Sequence, residues 1–270
     1  MQNNKQILFG LNGKVVIVTG AAGQLGNQYV RALLDAGAKV VALDLDLKNL
    51  GSRLADLELD GLLLLEADIT DRASLESALQ VILKKFGGVQ ALVNNAAIDA
   101  PPHMKSAALT GPFETYPKDV LQKMFDVNLT GSILCCQVFG GHMARHGGGS
   151  IINIGSIYGI LSPDQRLYTY KEKPFFKPVG YSVTKSAVLN LTRYLATYWA
   201  DKNVRVNTLT LAGVFNNQDE EFLRRYTVKV PLGRMARPDE YNGAVIFLIS
   251  DASSYMTGSN MIVDGGYSAW

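Results

Sequence analysis

Short apolar runs alternate with helical patterns along this sequence, and that alternation restricts the folds that the chain can adopt. Apolar runs predict strands at Lys14–Thr19, Lys39–Leu43, Leu62–Ala67, Val89–Asn94, Ser150–Ile154, Val204–Leu209 and Asn260–Val263. Helical patterns lie between them at residues 24–36, 71–86, 118–145, 181–200 and 238–250. Because strand–helix–strand repeats build parallel sheets, we expect an α/β fold with a doubly wound parallel sheet of about seven strands flanked by helices.

The composition is typical of a globular chain with a large core. The chain has 270 residues, of which 47% are hydrophobic, and we expect residues 1–270 to form a single domain around one sheet. A net charge of +2 gives no general electrostatic reason to bind nucleic acid. We also expect no membrane association, because the longest aliphatic run, Leu62–Leu65, is far shorter than the roughly 20 residues of a membrane helix.

The N-terminal residues and the cysteines favour a cytoplasmic protein. Residues 1–10 lack the long apolar region of a signal peptide. Cys135 and Cys136 are adjacent, and sequence neighbours rarely form a disulfide, so we expect two free thiols in a reducing compartment. The histidines lie near neither cysteine, and we therefore expect no metal site.

A glycine-rich turn follows the first predicted strand and opens the first predicted helix. It is the segment Thr19-Gly20-Ala21-Ala22-Gly23-Gln24-Leu25-Gly26. Glycines let the backbone turn tightly and approach a pyrophosphate, and a helix N-terminus offers free amides and a positive dipole end. We expect Gly20, Gln24, Leu25 and Gly26 to bind a dinucleotide at a Rossmann-type site; the alternative is a purely structural turn.

An acidic residue at the end of the second strand predicts which dinucleotide is bound. A carboxylate at Asp44 can accept hydrogen bonds from both hydroxyls of the adenosine ribose, and it would repel a 2′-phosphate. The glycine turn also lacks an arginine or lysine for that phosphate. The sequence therefore predicts NAD rather than NADP, unless Asp44 is only a solvated residue at a strand end.

Polar residues also end the third and fourth strands. Asp68 and Ile69 follow the third strand, and Asn95 follows the fourth in the segment Asn94–Ala97. The carboxyl ends of parallel strands meet at one edge, so we expect these residues near the adenine and its ribose. Asp68 also fits the N-cap position of the following helix, and the two roles are compatible.

Tyr181 and Lys185 are the candidate proton-transfer pair. They are four residues apart at the start of a helix, which places them on one face. A free tyrosine has a pKa of about 10, but a nearby ammonium stabilises the phenolate and lowers that pKa. We therefore expect the pair to exchange a proton with an alcohol or a carbonyl compound. A Tyr-x-x-x-Lys spacing also arises by chance.

Two further polar residues extend this candidate site. Ser156 follows the fifth strand, where its hydroxyl can hydrogen-bond a substrate oxygen as charge develops. Asn128 lies in a helical pattern, although asparagine is a mediocre helix former. We expect Asn128 to hold a water between the helix backbone and Lys185; the alternative is a surface asparagine.

Taken in order, these residues resemble the classical short-chain dehydrogenase/reductase family from about residue 12 to the end of the chain. The matching features are the glycine turn, Asp44, Asp68, Asn94–Ala97, Asn128, Ser156, Tyr181, Lys185 and the segment Tyr255–Gly266. The resemblance implies an Asn-Ser-Tyr-Lys tetrad with the tyrosine as general acid and base. It also implies that the lysine binds the nicotinamide ribose and that the protein is a tetramer or dimer.

The chain departs from the family pattern at three places. Gln24 stands where the family has glycine, and Gly23 comes one place early. Leu211-Ala212 replace the common Pro-Gly after the sixth strand, although we still expect Val214 to present its amide to the nicotinamide. Ser156 and Tyr181 are 25 positions apart, about twice the common spacing, which predicts an inserted substrate loop near residues 160–180.

The composition of this loop suggests a substrate class. Its cations are Arg166, Lys171, Lys173 and Lys177, and its aromatic residues are Tyr168, Tyr170, Phe175 and Phe176. Cations suit phosphate or carboxylate, and aromatic faces suit sugar rings, so we expect an anionic or sugar-like small molecule. The polar segment at residues 215–221 favours a polyhydroxylated ligand as well. The alternative is a solvated loop whose aromatic residues anchor it to the core.

Three functions therefore compete. The first is an NAD-dependent oxidoreductase that interconverts a secondary alcohol and a ketone on a sugar or an activated or phosphorylated sugar. The second is a 3-oxoacyl or simple ketone reductase, which would favour an apolar cleft and usually NADP. The third is a non-catalytic dinucleotide-binding protein, which we would expect to lack Tyr181 or Lys185. Asp44 and the basic loop favour the first function.

Two weaker indications complete the prediction. The segments 162–168, 177–185, 213–222 and 231–244 are similar to oxidoreductases of bacterial surface-sugar and flagellin-glycan biosynthesis.

The helical stretches 118–145 and 181–200 carry more apolar residues than one core-facing stripe needs. Apolar surface of that kind usually marks an interface, so we expect a homo-oligomer.

Overall fold

One parallel sheet organises the part of the chain that this computed structural model describes, residues 8–57, 60–100, 110–170 and 175–270. Within those ranges its seven strands are β1 (Val15–Thr19), β2 (Lys39–Asp44), β3 (Leu62–Glu66), β4 (Ala91–Asn94), β5 (Gly149–Ser156), β6 (Val204–Leu211) and β7 (Asn260–Val263). They lie in the order β3-β2-β1-β4-β5-β6-β7, and each neighbouring pair is parallel. The predicted Rossmann-type sheet is confirmed.

Helices cover both faces of this sheet. They are α1 (Gln24–Asp35), α2 (Leu47–Arg53), α3 (Arg72–Phe86), α4 (the continuous helical stretch from Lys118 to Arg145), α5 (Ile157–Ile160), α6 (Val179–Tyr198), α7 (Glu220–Thr227) and α8 (Asn242–Ile249). Tyr29 of α1 and Leu248 of α8 pack on one face, and Leu75 of α3, Phe139 of α4 and Leu195 of α6 pack on the other. None of the helices among the described residues has the length and apolar character needed to cross a membrane.

The central strands are apolar on both sides because both faces of the sheet are covered. In β1, Val16 and Val18 belong to the core on the side of α1, whereas Val15 and Ile17 belong to the core on the opposite side. All of β1 is buried. A strand buried on both faces appears in the sequence as a continuous apolar run, which is the pattern that predicted it.

A chain of buried polar side chains fixes α6 against the middle of the sheet. Asn94 of β4 donates to Asn153 of β5 at 2.9 Å, and Asn153 donates to the Thr192 hydroxyl of α6 at 2.8 Å. The hydroxyls of Thr192 and of Thr208 on β6 lie 2.7 Å apart. Buried polar groups require partners, so these bonds couple the register of three strands to the position of α6.

Strands β5 and β6 are longer than the sequence predicts. The apolar runs end at Ile154 and Leu209, but both strands continue to Ser156 and Leu211, which pair with each other. Gly155 interrupts the apolar pattern without interrupting the ladder of backbone hydrogen bonds. The extension places Ser156 at the carboxyl edge of the sheet, as the last residue of β5 rather than in the loop beyond it.

Helix α4 is continuous, as the sequence predicts, but it is not a regular α-helix. Asp126–Gly131 and Cys136–Gly140 form two π-helical segments between α-helical ones. Asn128 lies in the first of them. In a π segment the backbone hydrogen bonds span five residues instead of four, and such segments often accompany a functional site. A hydrophobic period of 3.6 gives no sign of them.

The predicted capping role of Asp68 is wrong. Helix α3 begins only at Arg72, and its N-cap is Asp71, whose carboxylate accepts a hydrogen bond from the Ala73 amide at 3.0 Å. The Asp68 carboxylate instead accepts from the amide and the hydroxyl of Thr70, at 2.8 and 2.7 Å. Asp68 therefore stabilises the turn that precedes the cap.

Candidate active site

A cavity of about 290 Å³ lies at the carboxyl edge of the sheet, where the loops after β1, β4, β5 and β6 converge. Its lining includes Gln24, Leu25, Asn95, Asp99, Ser156, Tyr158, Tyr168, Lys177, Tyr181, Lys185, Val214, Gln218, Phe222, Tyr226 and Met235. Ligands of doubly wound sheets bind at this edge. Seven of the thirteen residues predicted for the site line the cavity: Gln24, Leu25, Asn95, Ser156, Tyr181, Lys185 and Val214.

The glycine turn has the backbone that a bound pyrophosphate requires. Gly20 has a φ of +64°, and a Cβ there would lie 2.7 Å from Cα of Ala96. A Cβ on Gly26 would collide with the carbonyl oxygen of Gly20. Gly23 is the N-cap of α1, and no side chain caps the first amides of this helix. The turn therefore fits the phosphates of a dinucleotide, which free amides and the helix dipole favour.

Gln24, which replaces a glycine of the family pattern, reaches across the cavity. Its side-chain amide donates to the carbonyl oxygen of Phe215 at 2.8 Å, so it connects the turn after β1 with the loop after β6. Leu25 follows it at the start of α1 and also lines the cavity. The departure therefore adds a polar contact across the groove and leaves the turn intact.

Asp44 lies beside the glycine turn at the end of β2. One carboxylate oxygen accepts the Ala22 amide at 2.9 Å, and the other accepts the Asp46 amide at 3.2 Å. The carboxylate is partly exposed, and Leu45 after it is exposed. No lysine or arginine stands in the turn itself. An anionic, partly solvated side chain at this point suits ribose hydroxyls and disfavours a phosphate.

The residues predicted near the adenine are placed in different ways. Asn95 donates to the carbonyl oxygens of Thr19 and Gly20 at 2.9 and 3.1 Å, which ties the end of β4 to the glycine turn. Ile69 is buried, and Asp68 is occupied with its local turn. Neither of these two lines the cavity, so the cavity wall contains Asn95 alone of the three.

Ser156, Tyr181 and Lys185 meet at one end of the cavity. Helix α6 begins at Val179, two residues earlier than predicted, so Tyr181 lies in its first turn. Tyr181 and Ser156 both line the cavity, and the Ser156 hydroxyl opposes the rise in the pKa of Tyr181. Lys185 donates to the carbonyl oxygen of Ile154 at 2.7 Å, and its nitrogen lies 5.9 Å from the centre of the Tyr181 ring.

Asn128 is buried rather than on the surface. Its Oδ1 accepts the Ile98 amide at 2.7 Å, and its Nδ2 donates to the Ile98 carbonyl at 2.9 Å. Nδ2 also lies 3.3 Å from the hydroxyl of Thr184, which precedes Lys185 on α6. Asn128 therefore clamps the segment after β4 onto α4 and α6, and it supports the cavity from behind without lining it.

The expected direction of the tyrosine shift is wrong. Burial raises the pKa of Tyr181, Asp99 raises it further, and the hydrogen bond with Ser156 only opposes this. Burial also lowers the pKa of Lys185 to about 8, against an opposing effect of Asp99. The lysine donates to Ile154 rather than to the phenol, so desolvation outweighs attraction between the pair.

Side chains hold the loop after β6 where the family has Pro-Gly. The Gly213 amide donates to the Tyr226 hydroxyl at 2.6 Å, and the Gln218 side chain donates to the Val214 carbonyl at 2.9 Å. Val214 also forms a parallel bridge with Ala236. These contacts fix Val214 at the cavity wall without the rigidity of a proline.

The aromatic residues of the inserted loop mostly anchor it. Tyr168 and Phe175 are buried with their ring centres 5.1 Å apart, and the Tyr168 hydroxyl lies 2.7 Å from that of Tyr158. Tyr170 donates to Asp219 at 2.6 Å. The anchoring alternative therefore holds for Phe175, while Tyr168 both anchors the loop and lines the cavity.

The loop cations do not form one anion-binding surface among the described residues. Lys171 and Lys173 lie outside those residues. Arg166 is 88% exposed and pairs with Asp164 at 2.9 Å. Lys177 alone of the described loop cations lines the cavity, and it is paired with Asp99.

Sequence reasoning missed several residues of the cavity wall. Asp99, Tyr158, Phe222, Tyr226 and Met235 all line it. Asp99 and Tyr158 come shortly after the ends of β4 and β5, so their position at the carboxyl edge was the available signal. The polar segment 215–221 was the available signal for the region before α7, and Gln218 of that segment does line the cavity, but the positions of Phe222 and Tyr226 were not predicted.

Metal-binding side chains do not gather in the described part of the chain, where no three histidine, cysteine or acidic residues lie together. Cys135 and Cys136 are buried free thiols, and burial raises the pKa of both.

Comparisons with known proteins place the whole chain beside oxidoreductases. Residues 20–268 match a family model described as Enoyl-(Acyl carrier protein) reductase. The chain is 31% identical to an NAD-dependent glycerol dehydrogenase of Listeria innocua, covering 96% of this chain and 95% of the relative. It is also 31% identical to an NADH-dependent L-xylulose reductase of Ambrosiozyma monospora, covering 97% of each. A gluconate 5-dehydrogenase from Burkholderia cenocepacia, solved with NADP and tartrate, matches with a TM-score of 0.84 and 27% identity over 97% of this chain and 98% of that one.

The lowered pKa of Lys185 predicts that its amine titrates in an accessible range. Because the folded pKa is about 8, the ammonium form dominates below that pH and the neutral amine above it. NMR of the lysine Cε carbons, with Lys185→Arg to assign the signal, should show a midpoint near 8. Exposed Lys202, whose pKa is raised by Asp201, is the internal control. A Lys185 midpoint near the ordinary value of about 10.4 would contradict the desolvation argument.

Proposed function

Because the chain belongs to the classical short-chain dehydrogenase/reductase family and is an oxidoreductase of CH–OH groups, we propose that it uses NAD to interconvert a secondary alcohol and a ketone on a polyol or sugar. The observation that carries this proposal is the convergence of Ser156, Tyr181 and Lys185 on one cavity, which the glycine turn also borders. A proton-transfer group and a dinucleotide-binding turn on one cavity suit hydride transfer.

We assign proton transfer to Tyr181. When bound, the nicotinamide dinucleotide accepts the hydride that leaves the carbinol carbon. Tyr181 takes the hydroxyl proton during oxidation and returns it during reduction. Ser156 holds the same substrate oxygen through a hydrogen bond. Lys185 is mainly an ammonium at neutral pH, because its pKa is about 8, and in this proposal it binds the nicotinamide ribose from the same helix as Tyr181. Asn128 is a positioning residue in this scheme.

In this proposal, the dinucleotide lies along the carboxyl edge of the sheet, from the glycine turn to the loop after β6. Gly20, Gln24, Leu25 and Gly26 hold the pyrophosphate, Asp44 binds the adenosine ribose, Asp68, Ile69 and Asn95 border the adenine side, and Val214 meets the nicotinamide. The glycerol dehydrogenase and the L-xylulose reductase named above use NAD or NADH, whereas the gluconate 5-dehydrogenase was solved with NADP. Asp44 is the feature of this chain that favours NAD.

A polyol or sugar fits the mixed character of the cavity wall. Tyr158, Tyr168 and Tyr226 offer aromatic faces, and Ser156 and Gln218 offer hydrogen-bonding groups. The relatives named above act on glycerol, xylulose and gluconate. A 3-oxoacyl or simple ketone substrate would suit a more apolar wall. A non-catalytic role is disfavoured because Tyr181 and Lys185 are both present and both line the cavity.

Turnover of a panel of alcohols tests the function directly. We expect NADH formation from glycerol, threitol, xylitol and gluconate to exceed that from 2-butanol and a 3-hydroxyacyl thioester. Tyr181→Phe removes the transferable proton and keeps the ring, so it should lower kcat by at least about 100-fold while NADH still binds. Tyr194→Phe, an exposed tyrosine on the same helix, is the matched control. Preference for the thioester would support the acyl alternative, and NADH binding with no turnover of any compound would support the non-catalytic one.

Cofactor choice is tested separately at Asp44. We expect NADH to bind more tightly than NADPH, because the carboxylate would face the 2′-phosphate across a partly solvated site. Asp44→Ala should narrow the difference in dissociation constant, measured by fluorescence titration, by about 10-fold or more. Asp46→Ala, two residues on and exposed, controls for a general change of charge. The cofactor proposal fails if the wild-type protein binds NADPH more tightly.

A further inference from the structure

Asp99 and Lys177 form an ion pair in the cavity wall that the proton-transfer scheme does not use. The Lys177 ammonium donates to both oxygens of the Asp99 carboxylate, at 2.5 and 2.7 Å. The lysine side chain is only 6% exposed, whereas the Asp99 carboxylate is 37% exposed. The Lys177 nitrogen lies 4.6 Å from the centre of the Tyr181 ring. The pair therefore stands directly beside the proposed reacting group.

The location of the pair suggests a role beyond stability. A buried ion pair costs desolvation and is seldom more stable than a well-packed apolar replacement. Asp99 follows β4 and Lys177 precedes α6, so they come from distant segments that converge only at this edge. The Asp99 carboxylate is the more exposed member of the pair, and it borders the cavity. Charged groups kept at a cavity wall are candidates for ligand recognition.

We propose that Asp99 and Lys177 form a subsite for a second hydroxyl of the substrate, next to the hydroxyl that Tyr181 deprotonates. A hydroxyl is both a donor and an acceptor. It can donate to the exposed Asp99 carboxylate and accept from the Lys177 ammonium in place of the weak 3.5 Å bond that Lys177 makes to the carbonyl oxygen of Ala100. This inference rests on the proposed function, because it names the substrate group that the cavity selects. It specifies a vicinal diol unit rather than any alcohol.

The charge of the pair argues against an anion at this subsite. Lys177 is the one cation of the described part of the loop that lines the cavity, but the Asp99 carboxylate neutralises its charge. A substrate phosphate or carboxylate placed there would meet the exposed carboxylate of Asp99 and be repelled. A neutral hydroxyl meets no such cost. An alcohol with a methylene in this position would remove water from the exposed Asp99 carboxylate without supplying a hydrogen bond to it, and the site would disfavour that alcohol.

The test compares two secondary alcohols that differ by one hydroxyl, 2,3-butanediol and 2-butanol. For the wild-type protein with NAD, we expect kcat/KM to favour the diol by about 10- to 100-fold, the range that hydrogen bonds to charged groups support. In Asp99→Ala/Lys177→Met, which removes both charges together, that ratio should fall to about one. Arg166→Met removes an exposed cation of the same loop, whose partner Asp164 keeps its ion pair with Lys229, and it should leave the ratio unchanged.

Two further measurements test the subsite even if the double variant does not fold or neither alcohol is oxidised. Asp99→Asn preserves the side-chain volume and should lower the ratio by about 10-fold, so the inference does not depend on the double variant being stable. Calorimetric titration of both alcohols into the protein–NADH complex measures the same preference without chemistry, and we expect only the diol to bind measurably.

The outcomes separate this inference from the proposed function. Diol preference that disappears in the variants supports both. Diol preference that persists in the double variant overturns the subsite and leaves the proposed function standing. Equal use of the two alcohols by the wild-type protein overturns the subsite as well. Absence of turnover of these two alcohols and of every polyol in the panel above overturns the proposed function. Calorimetry then decides the subsite: diol binding that the variants abolish supports it, and no diol binding overturns it.

Discussion

The buried hydrogen bonds from Asn94 through Asn153 and Thr192 to Thr208 are the interaction on which the candidate site depends. They join β4, β5 and β6 to α6 through side chains that are all buried, so losing one partner would leave a buried polar group unpaired. Helix α6 carries Tyr181 and Lys185, and β5 carries Ser156, so the same bonds that set strand register also set the distances among the three. Lys185 adds a further bond from α6 to the end of β5.

Much of the fold was predictable because it follows from local pattern. Strands buried on both faces give continuous apolar runs, and the glycine turn, Ser156, Tyr181 and Lys185 keep a recognisable order along the chain. The rest depends on tertiary context. The π segments around Asn128, the delayed start of α3, and the short helices α2 and α7 have no distinct sequence signal. The direction of the Tyr181 shift required the burial of its ring, and the oligomer remains a prediction.

Ion pairs neutralise cations of the inserted loop, and this changes the type of ligand that the loop favours. As a sequence, the loop is rich in cations and predicts an anionic ligand. In the structure, Asp164 pairs with Arg166, and Asp99 pairs with Lys177 from 78 positions away. Local charge counting does not reveal the second pair, because its partner lies beyond another strand and the long helix α4. Among the described residues, the loop therefore contributes Tyr168 and a lysine neutralised by Asp99 to the cavity wall, rather than free cations.

We propose that hydride passes directly from a substrate carbinol carbon to NAD at the cavity beside Tyr181. The most direct measurement uses the most rapidly oxidised polyol, deuterated at its carbinol carbons, with unlabelled NAD in ordinary water. Mass spectrometry and proton NMR of the NADH that forms then locate the label. We expect one deuterium per NADH, on one face of nicotinamide C4. Unlabelled NADH formed alongside oxidised polyol would contradict it.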